Sequence, residues 1–430
     1  MNPPARRRYH AGTVSWIVVS IVFNGLLAGA QGKSEPARVE PRIMVIADQV
    51  VQEQWPATLE LVNGPTEMTR VEPGQCVRFA VLATGDGPDA LLRRMKFGFD
   101  LVFSDNTQTF ASESAEVVKQ IKLEGGDFVT QVLASAEIKN PVPTMVSLAA
   151  SKARWCAPPD ARDGQAKLRG KATTGDGKSL SFEPRTIEVA TFETARKNAP
   201  FKDTGGVAGW ILHYYAAPDP ALLWPALRIM AGDQTAAKGS NTMIFFVSAL
   251  KTSKTAAEDL MLKIPAAEDR HVRFYSAAAL KMAGYSMESL RSGFTENEQK
   301  LLDSLPQPDP FNVVPDAQIG ASQDMLWSVF FATGKIEPVR AIASQLAWAD
   351  DYRKFRKTVD SGRKPELNDS TFRAVGYGAA GWSLAALSNQ APLVADYLDA
   401  IRAAPDTPSA IKNELAHLFD NPAFRSPKGK

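Results

Sequence analysis

The sequence predicts a multidomain β + α chain: an N-terminal antiparallel β-sandwich followed by an α-helical repeat domain of the α-α superhelix kind. Three observations predict it. Apolar residues recur in twos from about Arg42 to Thr194, then every three to four residues beyond position 206. The change of period falls at a polar, Gly-ended segment, ARKNAPFKDTGG (195–206). Three stretches of the second half share one plan of helix, short polar turn and helix. The boundaries read 1–31 for a signal peptide, 40–195 for the β-sandwich domain, 196–206 for a linker and 207–425 for the helical repeat domain.

The chain opens with Arg6, Arg7 and Arg8, an apolar stretch from Val14 to Ala28, and the small-residue pattern Ala28-Gly29-Ala30. This order of charge, apolar run and small residues predicts export, with cleavage before Gln31 and a periplasmic or extracellular destination. No transmembrane segment is expected in the mature chain. The whole-chain charge of +2 rests on those three arginines; without them 46 Lys and Arg face 47 Asp and Glu. A near-neutral mature protein lacks the broad positive field of a nucleic-acid binder, so no nucleic-acid partner is expected. In an oxidising compartment the two cysteines, Cys76 and Cys156, are expected to form a disulfide.

The strands follow in order. QCVRFAVLA places Cys76, Arg78 and Ala80 on one face and Val77, Phe79 and Val81 on the other. KFGFDLVFS aligns Phe97, Phe99, Leu101 and Phe103 on a single face. AEVVKQIKLE, DFVTQVLASA, TMVSLAA, GQAKLRGKA and RTIEVATFE are further strand candidates. The clusters TGDGPD, EGGD (124–127) and TTGDGK (173–178) separate them as turns, EGGD reading as a hairpin. Seven to nine such strands suit a sandwich. No Trp follows Cys76 at the position an immunoglobulin domain requires.

Beyond the linker, Asp219-Pro220 reads as an N-cap with Pro at the first helical position, opening PALLWPALRIMAG. Thr295 to Glu298 spells a capping box before EQKLLDSL, and Gly284 is a natural stop for AEDRHVRFYSAAALKMAG. About ten to twelve helices are expected between Val207 and Phe419. The shared plan appears in 244–264, 327–347 and 382–401, opened by Ile244, Trp327 and Trp382, with return helices starting at Thr255, Pro338 and Pro392. A helix pair cannot bury its apolar faces alone, so neighbouring pairs must stack. The segment FFATGKIEPVRAI (330–342) resembles helical-repeat proteins of the tetratricopeptide or HEAT type, the resemblance covering residues 207–420 without a 34-residue period. It implies stacked helix pairs that present a binding surface.

The chain carries no HExxH, GxSxG, P-loop or GxGxxG. Ser248-x-x-Lys251 and Ser409-x-x-Lys412 have the spacing of a serine acyl-transferase but lack that family's partner motifs. His213, His271 and His417 are scattered, and the acid pairs Asp350-Asp351 and Glu258-Asp259 point about 100° apart on a helix. No catalytic residue, metal or cofactor is therefore expected. Two clusters suit binding. Trp210 and Tyr214 lie four apart in GWILHYYAAPDP and form either a packing contact or a stacking platform. DDYRKFRKTVDSGRKPE (350–366) interleaves Tyr352 and Phe355 with Arg353, Lys354, Arg356 and Lys357, and reads either as an inserted binding loop or as a solvated helix. The function expected is recognition of a protein or peptide partner through the helical half. The alternatives are an envelope polysaccharide hydrolase or lyase with its site there, or a carbohydrate-binding protein.

Overall fold

The computed structural model describes residues 40–48, 68–85, 96–104, 107–112, 116–123, 144–173, 177, 179–197, 199–233, 240–307, 321–418 and 420. The expected signal peptide, the EGGD hairpin and the strand candidate DFVTQVLASA lie outside them. The layout is β then α: two sheets in the N-terminal half and, in the remainder, thirteen α-helices among the described residues. No described helix is long and apolar enough to cross a membrane.

The first sheet has the order β1-β3-β7-β6, formed by Glu40–Ala47, Cys76–Gly85, Thr144–Cys156 and Glu116–Leu123, all antiparallel. The second has the order β2-β10-β8-β4-β5, formed by Arg70–Val71, Arg185–Val189, Gly164–Thr173, Lys96–Val102 and Thr107–Ser112, with β9 (Ser179–Ser181) paired to β8. β8 and β9 pair antiparallel with Thr173 opposite Ser179, and most of the expected TTGDGK turn lies outside the described residues. One expectation is corrected: this sheet is mixed, because β2 runs parallel to β10. The two strands are far apart in sequence, so no hairpin dictates their direction.

Period-two patterning builds the core as read. Phe97, Phe99 and Leu101 of β4 are buried, as are Val77, Phe79 and Val81 of β3, and the Phe79 and Phe99 rings meet at 5.4 Å. Each such fully buried side chain contributes about 1.5–3 kcal/mol. Gly170 of β8 permits the close approach, since a Cβ there would lie 2.7 Å from Ile43 of β1. Residues of both sheets and of the helical half belong to one continuous apolar core.

RTIEVATFE is strand only to Val189; Phe192–Lys197 is a helix, α1. Thr191 explains the switch, accepting the Thr194 N–H on its hydroxyl (3.3 Å) while its own N–H is held by Asp163 (2.6 Å). The expected linker is thus structured at both ends. Arg196 of α1 pairs with Asp259, and Asp203 caps α2 (Thr204–Ile211) through the Gly206 N–H (2.8 Å).

The helices continue with α3 (Leu223–Gly232), α4 (Ser240–Thr252), α5 (Lys254–Lys263), α6 (Arg270–Met282) and α7 (Glu296–Ser304). Next come α8 (Ala321–Thr333), α9 (Ile336–Ser344), α10 (Ala349–Asp360), α11 (Asp369–Ser388), α12 (Pro392–Ala403) and α13 (Ser409–Ala416). The three look-alike stretches are the hairpins α4/α5, α8/α9 and α11/α12. Ser253 breaks the first and caps α5; Gly334, at φ 68, breaks the second. The capping box at Thr295 is present, and Gly284 ends α6 at φ 93. Asp219-Pro220 opens a short 3-10 turn (Pro220–Leu222) ahead of α3, and the Asp219 carboxylate makes no cap. It is bound to Arg70 instead.

Candidate functional site

A cleft of about 520 Å³ opens where the two halves meet. Six segments supply its wall. The end of β1 brings Ala47 and Asp48, and the β2–β3 turn brings Gly74, Gln75 and Cys76. Arg154 comes from β7, and Tyr214 from the segment after α2. The α4–α5 turn contributes Thr252 to Thr255, and the α8–α9 turn contributes Thr333 and Lys335.

Local chemistry fixes this wall. Gly74 sits at φ +76, and a Cβ there would lie 2.5 Å from the Thr255 methyl, so only glycine lets the turn approach α5. Backbone bonds join Gly74 and Gln75 to Ala157 (3.0 and 2.9 Å). The Cys76–Cys156 disulfide, with Cα atoms 4.0 Å apart, pins the same place. It links directly opposed residues of β3 and β7 within one sheet, rather than bridging two sheets. The Gln75 side chain donates to Pro218 O (2.7 Å) and accepts the Glu72 N–H (3.0 Å), tying the turn to the helical half.

The electrostatics are cationic. Asp48 is buried and accepts from Arg78 (2.6 Å) and Arg154 (2.9 Å), so its charge is matched within the wall. Arg154 remains half exposed, and Lys254 is exposed beside Glu258 (3.4 Å). Lys335 lies on the opposite turn. Behind the wall, Glu72 is buried with its Oε2 on the Ala221 N–H (2.8 Å), and Arg70 lies 3.3 Å from its Oε1 and against Asp219. Burial pushes the Glu72 carboxyl well up, and the adjoining Asp219 reinforces the shift by hydrogen bond and charge.

The structure places the predicted site residues in two regions. Trp210 and Tyr214 do share a face, their rings edge to face at 5.1 Å, and Phe245 of α4 closes the cluster at 5.3 Å from Tyr214. Tyr214 is 2% exposed, so its ring serves packing. Tyr352, Arg353, Lys354, Arg356 and Lys357 all lie on α10, which corrects the inserted-loop alternative for that stretch. Tyr352 packs on Tyr377 of α11 (4.9 Å between ring centres), and Asp351 binds Ser370 and Arg373 (2.6 and 2.7 Å). Arg353 pairs with Asp350 and Glu414, and Arg356 with Asp360; Lys354 and Lys357 are exposed. The apolar face anchors the helix while the basic face stays in water.

Beside α10, α11 turns an uncharged face outward. Val375, Ala379 and Trp382 fall at i, i+4 and i+7, and Val375 and Trp382 are 58% and 50% exposed. Sequence reasoning identified Trp382 only as the start of a repeat unit. It missed Glu72, Arg70, Arg154, Lys254 and Lys335, which no motif connects. The positive-φ turn before Cys76 was the one local signal, in PGQC (73–76).

Other candidates are accounted for by their neighbours. Ser248 is fully buried and donates to Ile244 O (2.7 Å). Asp259 and Glu258 engage Arg196 and Lys254 respectively. Among the described residues no three His, Cys, Asp or Glu side chains gather as a metal site.

No family model matches the chain. No curated protein matches it either. Among solved structures, the C-terminal domain of the AgI/II polypeptide BspA of Streptococcus agalactiae aligns at 11% identity and a TM-score of 0.15. The alignment covers 35% of this chain and half the length of that one, and the likeness carries no argument.

Proposed function

We propose that this is an exported, non-catalytic binding or scaffold protein that recognises a protein or peptide partner through its helical half. In this reading the two sheets form a β-sandwich domain over 40–195, and the helix pairs of 207–425 stack as an α-α superhelix. One observation carries it: the exposed Val375–Ala379–Trp382 face of α11 lies beside the basic α10. Val375, Ala379 and Trp382 are apolar and exposed, and from Ala374 to Ala395 the chain has no charged residue. An exposed Trp on an uncharged face is the composition of an interface anchor. The disulfide supports export, since an oxidising compartment preserves such a bond.

The polysaccharide-enzyme alternative needs two carboxyl groups about 5 Å or more apart across a sugar. Glu72 is buried, and Arg70 faces both Glu72 and Asp219, so the two do not flank an open sugar site. The test is to identify the partner retained by the wild-type protein, purify it, and titrate it against Trp382→Ala and a combined Ser variant of Arg353, Lys354, Arg356 and Lys357. Both should weaken binding tenfold or more with folding intact. Unchanged binding by both would refute the assignment of the surface.

A further inference from the structure

We propose that the groove between α3 and the start of α6 holds an extended peptide segment with an acidic group on one side of an apolar side chain and a basic group on the other. This goes beyond partner recognition through α10 and α11 and concerns different helices.

The groove has a volume of about 760 Å³, within the range of ligand sites. One wall is α3, where Trp224 and Arg228 lie one helical turn apart, as do Pro225 and Ile229. The other wall runs from the end of α5 to Val272 of α6. Trp224, Pro225 and Ile229 are only half-buried, so their apolar surface is open to an occupant. The lining contains no hydroxyl or amide side chain, which suits an apolar side chain better than a sugar.

Four charged groups border this surface, and two are engaged. Lys263 pairs with Glu193 (3.4 Å), and Asp269 caps α6 by accepting the His271 N–H (2.7 Å). Arg228 and Glu268 are exposed, and among the described residues neither side chain has an ion-pair partner. They do not pair with each other, although one stands on each wall. An occupant that satisfies both brings a carboxylate to Arg228 and a cation to Glu268. A uniformly acidic segment meets repulsion from Glu268, and a uniformly basic one from Arg228.

Arg228 is also held ready. Its guanidinium carbon lies 6.0 Å from the centre of the Trp224 ring. Stacking on the indole restrains the side chain while its N–H fork stays available for a carboxylate. Trp and Arg are, moreover, the residue types that dominate binding energy at protein and peptide interfaces.

The experiment immobilises the full chain and offers four pools of end-capped hexapeptides. Each has an apolar centre, flanked by an acid and a base in either order, by two acids, by two bases, or by uncharged residues. The acid–base pool should be retained tenfold or more over the others, and its best-retained member is then titrated by fluorescence anisotropy. Arg228→Gln should weaken that peptide about tenfold. Glu268→Gln should weaken it about 3- to 10-fold, and less at high salt. A Cβ at Gly232, which also lines the groove, meets nothing within 4 Å, so Gly232→Gln should fill the space without disturbing the fold and weaken binding tenfold or more. Trp382→Ala should leave this binding unchanged, so failure here and failure of the α11 reading are distinguishable. No retention of any pool, equal retention of all four, preference for another pool, or affinity unmoved in the Arg228 and Glu268 variants would overturn the proposal.

Discussion

Arg70, in β2, holds its guanidinium against Asp219, in the loop before α3, and 3.3 Å from Oε1 of Glu72, in the turn after β2, so one cation faces two carboxyl groups across the junction of the halves. Burial, then Asp219, raise the Glu72 carboxyl well above its ordinary range.

The sign of its pH dependence follows. A carboxyl raised in the folded state contributes stability that is fully present below its ordinary range and is lost as pH rises through the raised value. Glu72→Gln keeps a neutral side chain that can still accept from Ala221 N–H and donate to Asp219. Thermal melts of the two proteins should agree near pH 4.5 and diverge towards pH 8, the variant being more stable there by about 1–3 kcal/mol. Parallel curves across that window would show that Glu72 does not hold the proton.

Glu298 has the opposite sign. Arg270 first, then the Thr295 backbone and hydroxyl, hold its carboxyl down at about 2. Its contribution is present above the ordinary carboxyl range and disappears as pH falls towards 2. Thr295→Ala should cost about 1 kcal/mol at neutral pH by removing the cap of α7. The difference from wild type should shrink in acid, which a melt series from pH 7 to pH 2 would read.

The Cys76–Cys156 bond closes 80 positions. Denatured, unreduced protein should show no free thiol. Replacing both cysteines with Ser should lower stability by about 2–4 kcal/mol in denaturant titrations. Because Cys76 lines the cleft, the same variant should loosen protection of the Gly74 and Gln75 amides in hydrogen exchange.

Stability and surface should separate on α10. Replacing Arg353, Lys354, Arg356 and Lys357 with Ser should leave melting within about 1 kcal/mol, since exposed ion pairs contribute little. Tyr352→Ala removes the ring that packs on Tyr377 and should cost more, about 1–2 kcal/mol. Equal losses in both variants would mean that the basic face is structural.

What the sequence disclosed was local. Phe97, Phe99 and Leu101 announce β4 because alternation needs no knowledge of partners. Of the expected return-helix starts Thr255, Pro338 and Pro392, Pro392 opens α12, while α5 and α9 begin one and two residues earlier, at Lys254 and Ile336. The parallel β2–β10 pairing was not legible, because two residues of β2 carry no periodic signal. TFE followed a clear strand and became helical through Thr191 and Asp163, the latter almost thirty positions away. The cleft stayed hidden for the same reason: six segments each give it one to four residues.

The surface of α11 is where the account is most directly tested. A photo-crosslinking residue placed at exposed Ala379, in cells that make the full protein, should give one discrete protein adduct that disappears when Trp382 is Ala. The same probe at Leu262 of α5, 78% exposed and on another part of the surface, should not give that adduct. An identical adduct from Leu262, or none from Ala379 in folded protein, would contradict recognition through this face.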